Sequence, residues 1–438
     1  MNLYRKIYSE FEEWKKESGN RALLVTGARQ VGKTYAITEF MQKNFENFIH
    51  FDLVENSEVC AAFESASNTN ELFEMISLFS NKDLTPKKTV IFIDEIQQSG
   101  NSLTILKYLL KNHDFSYVIS GSLLGCEIEN VRSLPVGSLR CVEMFPLDFF
   151  EFCLANGVSK SDYAKVGDYY ESMTPLPEFL HSHFLDLFHK YLFVGGMPAV
   201  VSEYVNTHNL REVRKIQQDI VRLYKADISK YAKRTERLSI KNIFDKIPAN
   251  LSNQSKRFNL ASIKRGSTFD DYQSQFLWLI EAGVCIPTFN VAQPVSPLIL
   301  SESSSYFKLF LNDVGLLTSQ CDLSAVRSTG LSDFSINYGS IYENVVAQEL
   351  KAHGFETYYF RNKSIGEIDF VIEKNSTVLP LEIKSGKTYK RHSAITKILA
   401  TPNYSIDKAF VFNESNIEVD SKIVYLPIYL IDFLQKDF

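Results

Sequence analysis

The stretch GARQVGKT, Gly27 to Thr34, constrains the fold of this chain more than any other eight residues. It fits the spacing G-x-x-x-x-G-K-[ST]. It follows the strand-like run ALLVTG (22–27) and opens a helical run from Lys33 to Phe45. In that context the loop is expected to wrap a phosphate group. Gly27 and Gly32 let the backbone turn closely, so that the N–H groups of Ala28, Arg29, Gln30 and Val31 can face phosphate oxygens. The start of the following helix adds partial positive charge. Lys33 would reach the β- and γ-phosphates of ATP, and Thr34 would ligate Mg²⁺.

A loop of this kind needs a sheet behind it, and the first third of the chain supplies one. FIHFDL (48–53), TVIFIDE (89–95) and SYVISGS (116–122) are apolar runs without alternation, as expected for parallel strands covered on both faces. TVIFIDEIQ delivers Asp94 and Glu95 to a strand's C-terminal end, where open α/β sheets place ligands. Asp94 is expected to hold Mg²⁺ through a water, and Glu95 to polarise the attacking water. In ISGS, Ser122 and then Ser120 are candidates to bond the γ-phosphate or that water. Turn formation is the plain alternative for such a serine.

TGARQVGKT, VIFIDEIQ and ISGSLLG, followed by SLPVGSLRCVEMFPLDFFEF and YLFVGGMPAVV, resemble a prokaryotic group of AAA+-like ATPases (AAA_14) with a C-terminal DUF4143 region. YKADISKY, IPANLSNQSKRF, FKLFLNDVGLL, GSIYENVVAQEL and EIDFVIE extend the resemblance over nearly the whole chain. It implies an ATPase core followed by a helical lid. AAA+ proteins generally complete their sites with a neighbouring subunit's arginine. Here Ser138 stands where relatives often carry a basic residue, which leaves Arg140 as the candidate. GGMP (195–198) resembles a lid motif whose Pro198 packs near the adenine; a helix–helix turn is the alternative.

The middle of the chain is locally basic. Arg211 to Arg237 holds nine Lys/Arg against four Asp/Glu, and KRFNLASIKR (256–265) adds four positive charges without an acid. The passage from Phe258 to Val291 reads as helix, turn, helix and a short strand pair, a winged-helix layout that the resemblance also implies. Winged helices bind duplex DNA through such charges, or serve as interaction modules.

Near the C-terminus, GEIDFVIEKNSTVLPLEIKSGK (366–387) carries charge inside apolar runs. Two strands joined through KNST would bring Asp369 near Glu382, with Glu382 and Lys384 on one side because they are two residues apart. Asp369 and Glu382 could share Mg²⁺ or Mn²⁺ through hard oxygens, and Lys384 could orient water or stabilise phosphate charge. Glu343, in the helical GSIYENVVAQEL, could reach the same ion. The set Glu343, Asp369, Glu382 and Lys384 resembles the PD-(D/E)xK nuclease pattern, with Gly366–Glu367 where that pattern usually has a proline. The resemblance implies metal-dependent DNA cleavage. A fold of this type that only binds, within a nucleotide-switched regulator, is the alternative.

The expected architecture is thus α/β throughout, in four parts. They are a P-loop NTPase parallel-sheet core (1–150), a helical lid (151–235), a winged-helix-like region (236–300) and a restriction-endonuclease-like α/β domain (301–438). A length of 438 residues suits several domains, and a net charge of −5 excludes a uniformly basic nucleic-acid coat. Six cysteines scattered singly argue against a zinc or disulfide scaffold and point to a reducing cytoplasm. The charged N-terminus has no secretory pattern, and no apolar run approaches a membrane span. Expected partners are ATP, DNA, and a second copy or another protein.

Overall fold

A computed structural model describes residues 3–17, 21–80, 84–99, 101–111, 114–121, 139–321, 338–386 and 388–436. Ser122 and Ser138 lie outside the described residues. The chain divides into two compact units: Arg5–Phe145 with Glu281–Gly283, and Met1–Tyr4 with Pro146–Ile280 and Val284–Phe438.

The first unit is built on five parallel strands: β1 (Ala22–Thr26), β2 (Asn47–Asp52), β3 (Thr89–Asp94), β4 (Ser116–Ser120) and β5 (Leu139–Glu143). Their spatial order is β2-β3-β4-β1-β5. β3 is buried along its whole length and β1 along its first four residues, the reason both read as unbroken apolar runs. Ile91, Ile93, Ile119 and Phe51 pack with Phe63, Leu72 and Ile76 of the flanking helices. Each such side chain contributes about 1.5–3 kcal/mol by leaving water. The order matters chemically because β4 sits between β1 and β3. Register places Ser120 beside Val25 and Ile119 beside Ile93, so the ends of the three strands converge.

The second unit contains one eight-stranded sheet, ordered β12-β13-β11-β10-β9-β8-β6-β7. Its strands are β6 (Cys285–Val291), β7 (Glu302–Leu311), β8 (Tyr358–Asn362), β9 (Gly366–Lys374), β10 (Thr377–Ile383), β11 (Ala409–Asn413), β12 (Glu418–Asp420) and β13 (Ile423–Pro427). The helix–turn–strand-pair passage is present as helix Gln273–Glu281 followed by the antiparallel β6/β7 pair. That pair does not stand alone. β6 lies parallel to β8, from Phe289 beside Tyr358 to Val291 beside Phe360, and the pairing satisfies its second edge. The sheet therefore runs across the boundary expected at residue 300.

From Tyr338 onward the order is a helix (Tyr338–Ala352), the antiparallel strands β8, β9 and β10, a helix (Ser393–Leu399), and β11 parallel to β10. β9 and β10 form the expected hairpin. Asn375 and Ser376 take φ of 51° and 59°, as a two-residue turn between twisted strands requires.

GGMP has a local structural role. Gly196 N–H donates to Asp313 Oδ2 at 2.6 Å, and Leu147 N–H donates to the Gly196 carbonyl at 2.7 Å. Asp313 is buried, which pushes its carboxyl up to about 6, and it also accepts Leu316 N–H at 2.9 Å. Pro198 then starts the helix Pro198–Thr207, where its missing N–H is not needed. A β-carbon on Gly196 would overlap the Leu147 carbonyl oxygen. Gly196→Ala should therefore lower stability by about 3 kcal/mol or more, read by urea unfolding. An unchanged midpoint would refute this packing role.

Candidate nucleotide site and carboxylate cluster

Residues Gly27 to Thr34 join β1 to the helix Lys33–Asn44 as the motif requires. Gly32 caps that helix with φ 93°, a left-handed conformation that disfavours a side chain. Ala28 and Val31 are buried, Arg29 and Gln30 are exposed, and Thr34 lies at the surface of the helix's first turn. Lys33 is buried, and its ammonium donates to the carbonyls of Gly27 (2.9 Å) and Ala28 (3.0 Å), within the curve of the loop.

Asp94 is the centre of this site. Oδ2 accepts the Thr34 hydroxyl at 2.6 Å, and Oδ1 accepts Glu95 N–H at 3.0 Å and the Ser120 hydroxyl. His50 Nε2 lies 3.7 Å from Oδ2, with its ring stacked on Phe92 at 4.6 Å. Burial alone would raise the Asp94 carboxyl. The bonds from His50, Ser120 and Thr34 outweigh it and hold the group below its ordinary value, as an anion. A hydroxyl and a fixed carboxylate are hard oxygen donors, so Thr34 and Asp94 fit Mg²⁺. Glu95 follows in a left-handed conformation (φ 53°), half-buried, with Gln97 donating to its Oε2.

Two of the candidates meet defined partners. Ser120 touches the Asp94 carboxylate, whereas Ser122 lies outside the described residues. Arg140 is engaged within its own unit by Glu10 (2.8 Å), Glu13 (2.7 Å) and Glu17 (2.6 Å), which leaves it poorly suited to serve a neighbour's nucleotide. Sequence reading also missed Arg5. This buried guanidinium donates to the Val31 carbonyl at 2.8 Å and to the Phe145 carbonyl at 2.5 Å, bracing the phosphate loop.

In the second unit the structure brings Glu343, Asp369, Glu382 and Lys384 into one cluster, together with residues the motif does not name. Lys384 Nζ lies 2.7 Å from Glu382 Oε1, and Ile383 N–H donates to Asp369 Oδ2 at 2.9 Å. Lys308, from β7, has a side chain 0% exposed. Its ammonium lies 3.1 Å from Glu343 Oε2, 3.1 Å from Glu367 Oε1 and 3.9 Å from Asp369 Oδ1. It also stands 5.2 Å from the centre of the Tyr359 ring. Lys256 pairs with Glu343 Oε1. The only advance signal for Lys308 was a lysine inside the apolar run YFKLFL; Lys256 gave none.

Electrostatics divides these groups. Burial would lower the Lys308 ammonium, but Glu343, Asp369 and Glu367 raise it far above its usual value, so it stays charged. Burial would raise Asp369, and the nearby lysines bring it below its ordinary value instead. Glu382 is pushed up to about 8, by burial first and then by the Asp369 charge. Its Oε2 is buried and has no hydrogen-bond partner among the described residues. An orphaned carboxylate oxygen beside a second carboxylate fits a hard divalent cation, with Asp369 and Glu382 as its holders.

The Glu382 shift has a sign that can be tested. Its folded value lies above that of an unfolded glutamate, about 4.3. Between the two, the folded chain binds more protons, so ionisation of Glu382 opposes folding as pH rises. Glu382→Gln should gain stability relative to the parent from pH 5 to pH 8, read by urea unfolding. A pH-independent difference would contradict this environment.

Three regions of the chain match known domain families. Residues 19–153 match the AAA domain family AAA_14. Residues 185–327 and 338–431 match two domains of unknown function, DUF8612 and DUF4143. An uncharacterized protein of Methanocaldococcus jannaschii, MJ1544, is 24% identical over 427 residues, covering 92% of this chain and 85% of that protein. Among solved structures, the walker-type ATPase paby2304 of Pyrococcus abyssi aligns at 13% identity with TM-score 0.43, over 73% of this chain and 96% of its own. The Thermotoga maritima RuvB Holliday junction branch migration motor aligns at 15% identity with TM-score 0.29, over 65% and 89%. No helix among the described residues is long and apolar enough to cross a membrane. The chain carries an AAA domain of the AAA_14 family followed by a DUF4143 region.

Proposed function

We propose that this protein binds and hydrolyses ATP with Mg²⁺ and that its nucleotide state governs DNA held by the second unit, which cuts it in a metal-dependent reaction. The observation that carries the ATPase reading is the Asp94 carboxylate, which accepts Thr34 of the phosphate loop and Ser120 of the neighbouring strand. Mg²⁺ supplies charge neutralisation at the phosphates. Lys33 holds the β- and γ-phosphates, and Glu95 accepts a proton from water as its oxygen bonds to the γ-phosphorus and the bridging oxygen leaves.

Support for the nuclease part is the helix–three-strand–helix–strand order from Tyr338, with Glu343, Asp369, Glu382 and Lys384 in one cluster. Exposed Lys233, Arg234, Lys264 and Arg265 suit phosphate contact. Lys215, Arg222 and Lys225 are paired with Glu212 (2.7 Å), Asp219 (2.7 Å) and Asp245 (2.5 Å). Such exposed pairs are worth little and can be exchanged for phosphate. One observation favours the second reading, a nucleotide-switched DNA- or protein-binding regulator that does not cut. Lys308 and Lys256 already neutralise the carboxylates.

Two measurements separate these readings. Lys33→Ala should abolish ATP turnover, and Glu95→Gln should lower it by about 100-fold or more while leaving ATP binding intact. Normal turnover in Glu95→Gln would overturn the assigned base. With Mn²⁺ and DNA, cleavage lost in Asp369→Ala and Lys384→Ala supports the nuclease. Intact single- and double-stranded DNA in every metal would leave the regulator.

A further inference from the structure

The carboxylate cluster contains its own cations, and they are not equivalent. Glu343, Glu367, Asp369 and Glu382 face three ammonium groups, from Lys256, Lys308 and Lys384. Lys308 is 0% exposed and fixed on β7, paired opposite Thr288 in the β6/β7 ladder. Lys384 follows β10, and its N–H is tied to the Phe412 carbonyl at 2.9 Å. Lys256 differs. It lies in the turn between the helix Arg237–Leu251 and the short helical turn Leu260–Ser262, at φ 50°, with its side chain 19% exposed. Its N–H bonds only within that turn, to the Asn253 carbonyl at 3.0 Å. Rotation of the Lys256 side chain away from Glu343 would withdraw one positive charge while the Phe258 N–H stays bonded to the Phe307 carbonyl of β7 at 3.0 Å.

That movement has an electrostatic consequence. Lys256 sits on Glu343 and its charge also acts on Asp369, so its withdrawal leaves both carboxylates more attractive to a divalent ion. The buried Oε2 of Glu382, which has no hydrogen-bond partner among the described residues, is available to such an ion.

We propose that Lys256 is an internal competitor for the divalent cation at this cluster. The ammonium on Glu343 excludes the ion, and its departure admits one Mg²⁺ or Mn²⁺ held by Asp369 and Glu382. This deepens the nuclease-like reading above and rests on it for the identity of the site. It assigns Lys256, a residue outside the motif, the control of metal occupancy.

The test is Mn²⁺ titration by calorimetry on the full chain, without nucleotide, in a Lys33→Ala background that disables the phosphate loop. Lys256→Gln should bind one Mn²⁺ at least about tenfold more tightly than the parent, and Lys256→Arg should behave as the parent. Adding Glu382→Gln should remove the gain. Equal affinities in parent and Lys256→Gln, or a gain that survives Glu382→Gln, would overturn the proposal. A second readout needs no substitution. Acetic anhydride labelling of Lys256 in the unaltered chain, followed by mass spectrometry, should rise as Mn²⁺ is added. Unchanged labelling would count against the competition. Because both readouts report ion binding, a chain that takes up Mn²⁺ here yet leaves DNA intact would sink the cleavage reading and not this one.

Discussion

The second unit is organised around one buried charge. Lys308 has no exposure, yet burial of a lone ammonium would cost several kcal/mol or strip its proton. Glu343 and Glu367, each at 3.1 Å, and Asp369 at 3.9 Å make the position tenable. Those four residues come from β7, the helix Tyr338–Ala352 and β9. A single ammonium therefore ties the strand pair of the middle region to the motif-bearing strands. Removing either side of the pairing would strand a charge in the interior, so the eight-stranded sheet and the carboxylate cluster stand or fall together.

The nucleotide site follows a different logic, in which backbone geometry comes first and charge second. Parallel strands all end on the same side, so β1, β3 and β4 deliver the phosphate loop, Asp94 and Ser120 to one edge. Asp94 is then fixed by three polar neighbours before any ligand is considered, and those bonds keep it ionised despite burial. Arg5 adds a brace from outside the motif by holding the Val31 carbonyl. Preorganised donors of this kind need little rearrangement when charge develops during phosphoryl transfer.

The two sites handle buried carboxylates in opposite ways. Asp94 is stabilised by neutral hydrogen-bond donors and a histidine, an arrangement that leaves its charge for a metal ion. The second cluster pairs its negative charge with lysines, and the buried Oε2 of Glu382 has no hydrogen-bond partner among the described residues. That contrast is why the first site follows from its own motif, whereas the charge at the second depends on lysines outside its motif, Lys308 and Lys256.

Much of this was legible in the residues themselves. GARQVGKT, TVIFIDE and the pair of charged strands around KNST are local patterns, and local sterics and strand periodicity decide them. The sequence by itself determined that a phosphate loop would open a helix, that Asp94 would end a strand, and that Glu382 and Lys384 would share a face. It did not determine which distant side chain each charge would meet. Ser120 reaches Asp94 because β4 lies between β1 and β3, and strand order is a long-range property. The expected boundary at residue 300 vanished because β6 had an open edge that β8 could fill. Lys308 and Lys256 lie 35 and 87 residues from Glu343, beyond the reach of any spacing rule. Only tertiary packing brought those lysines to the carboxylates, because a buried charge takes whichever counter-charge the fold places beside it.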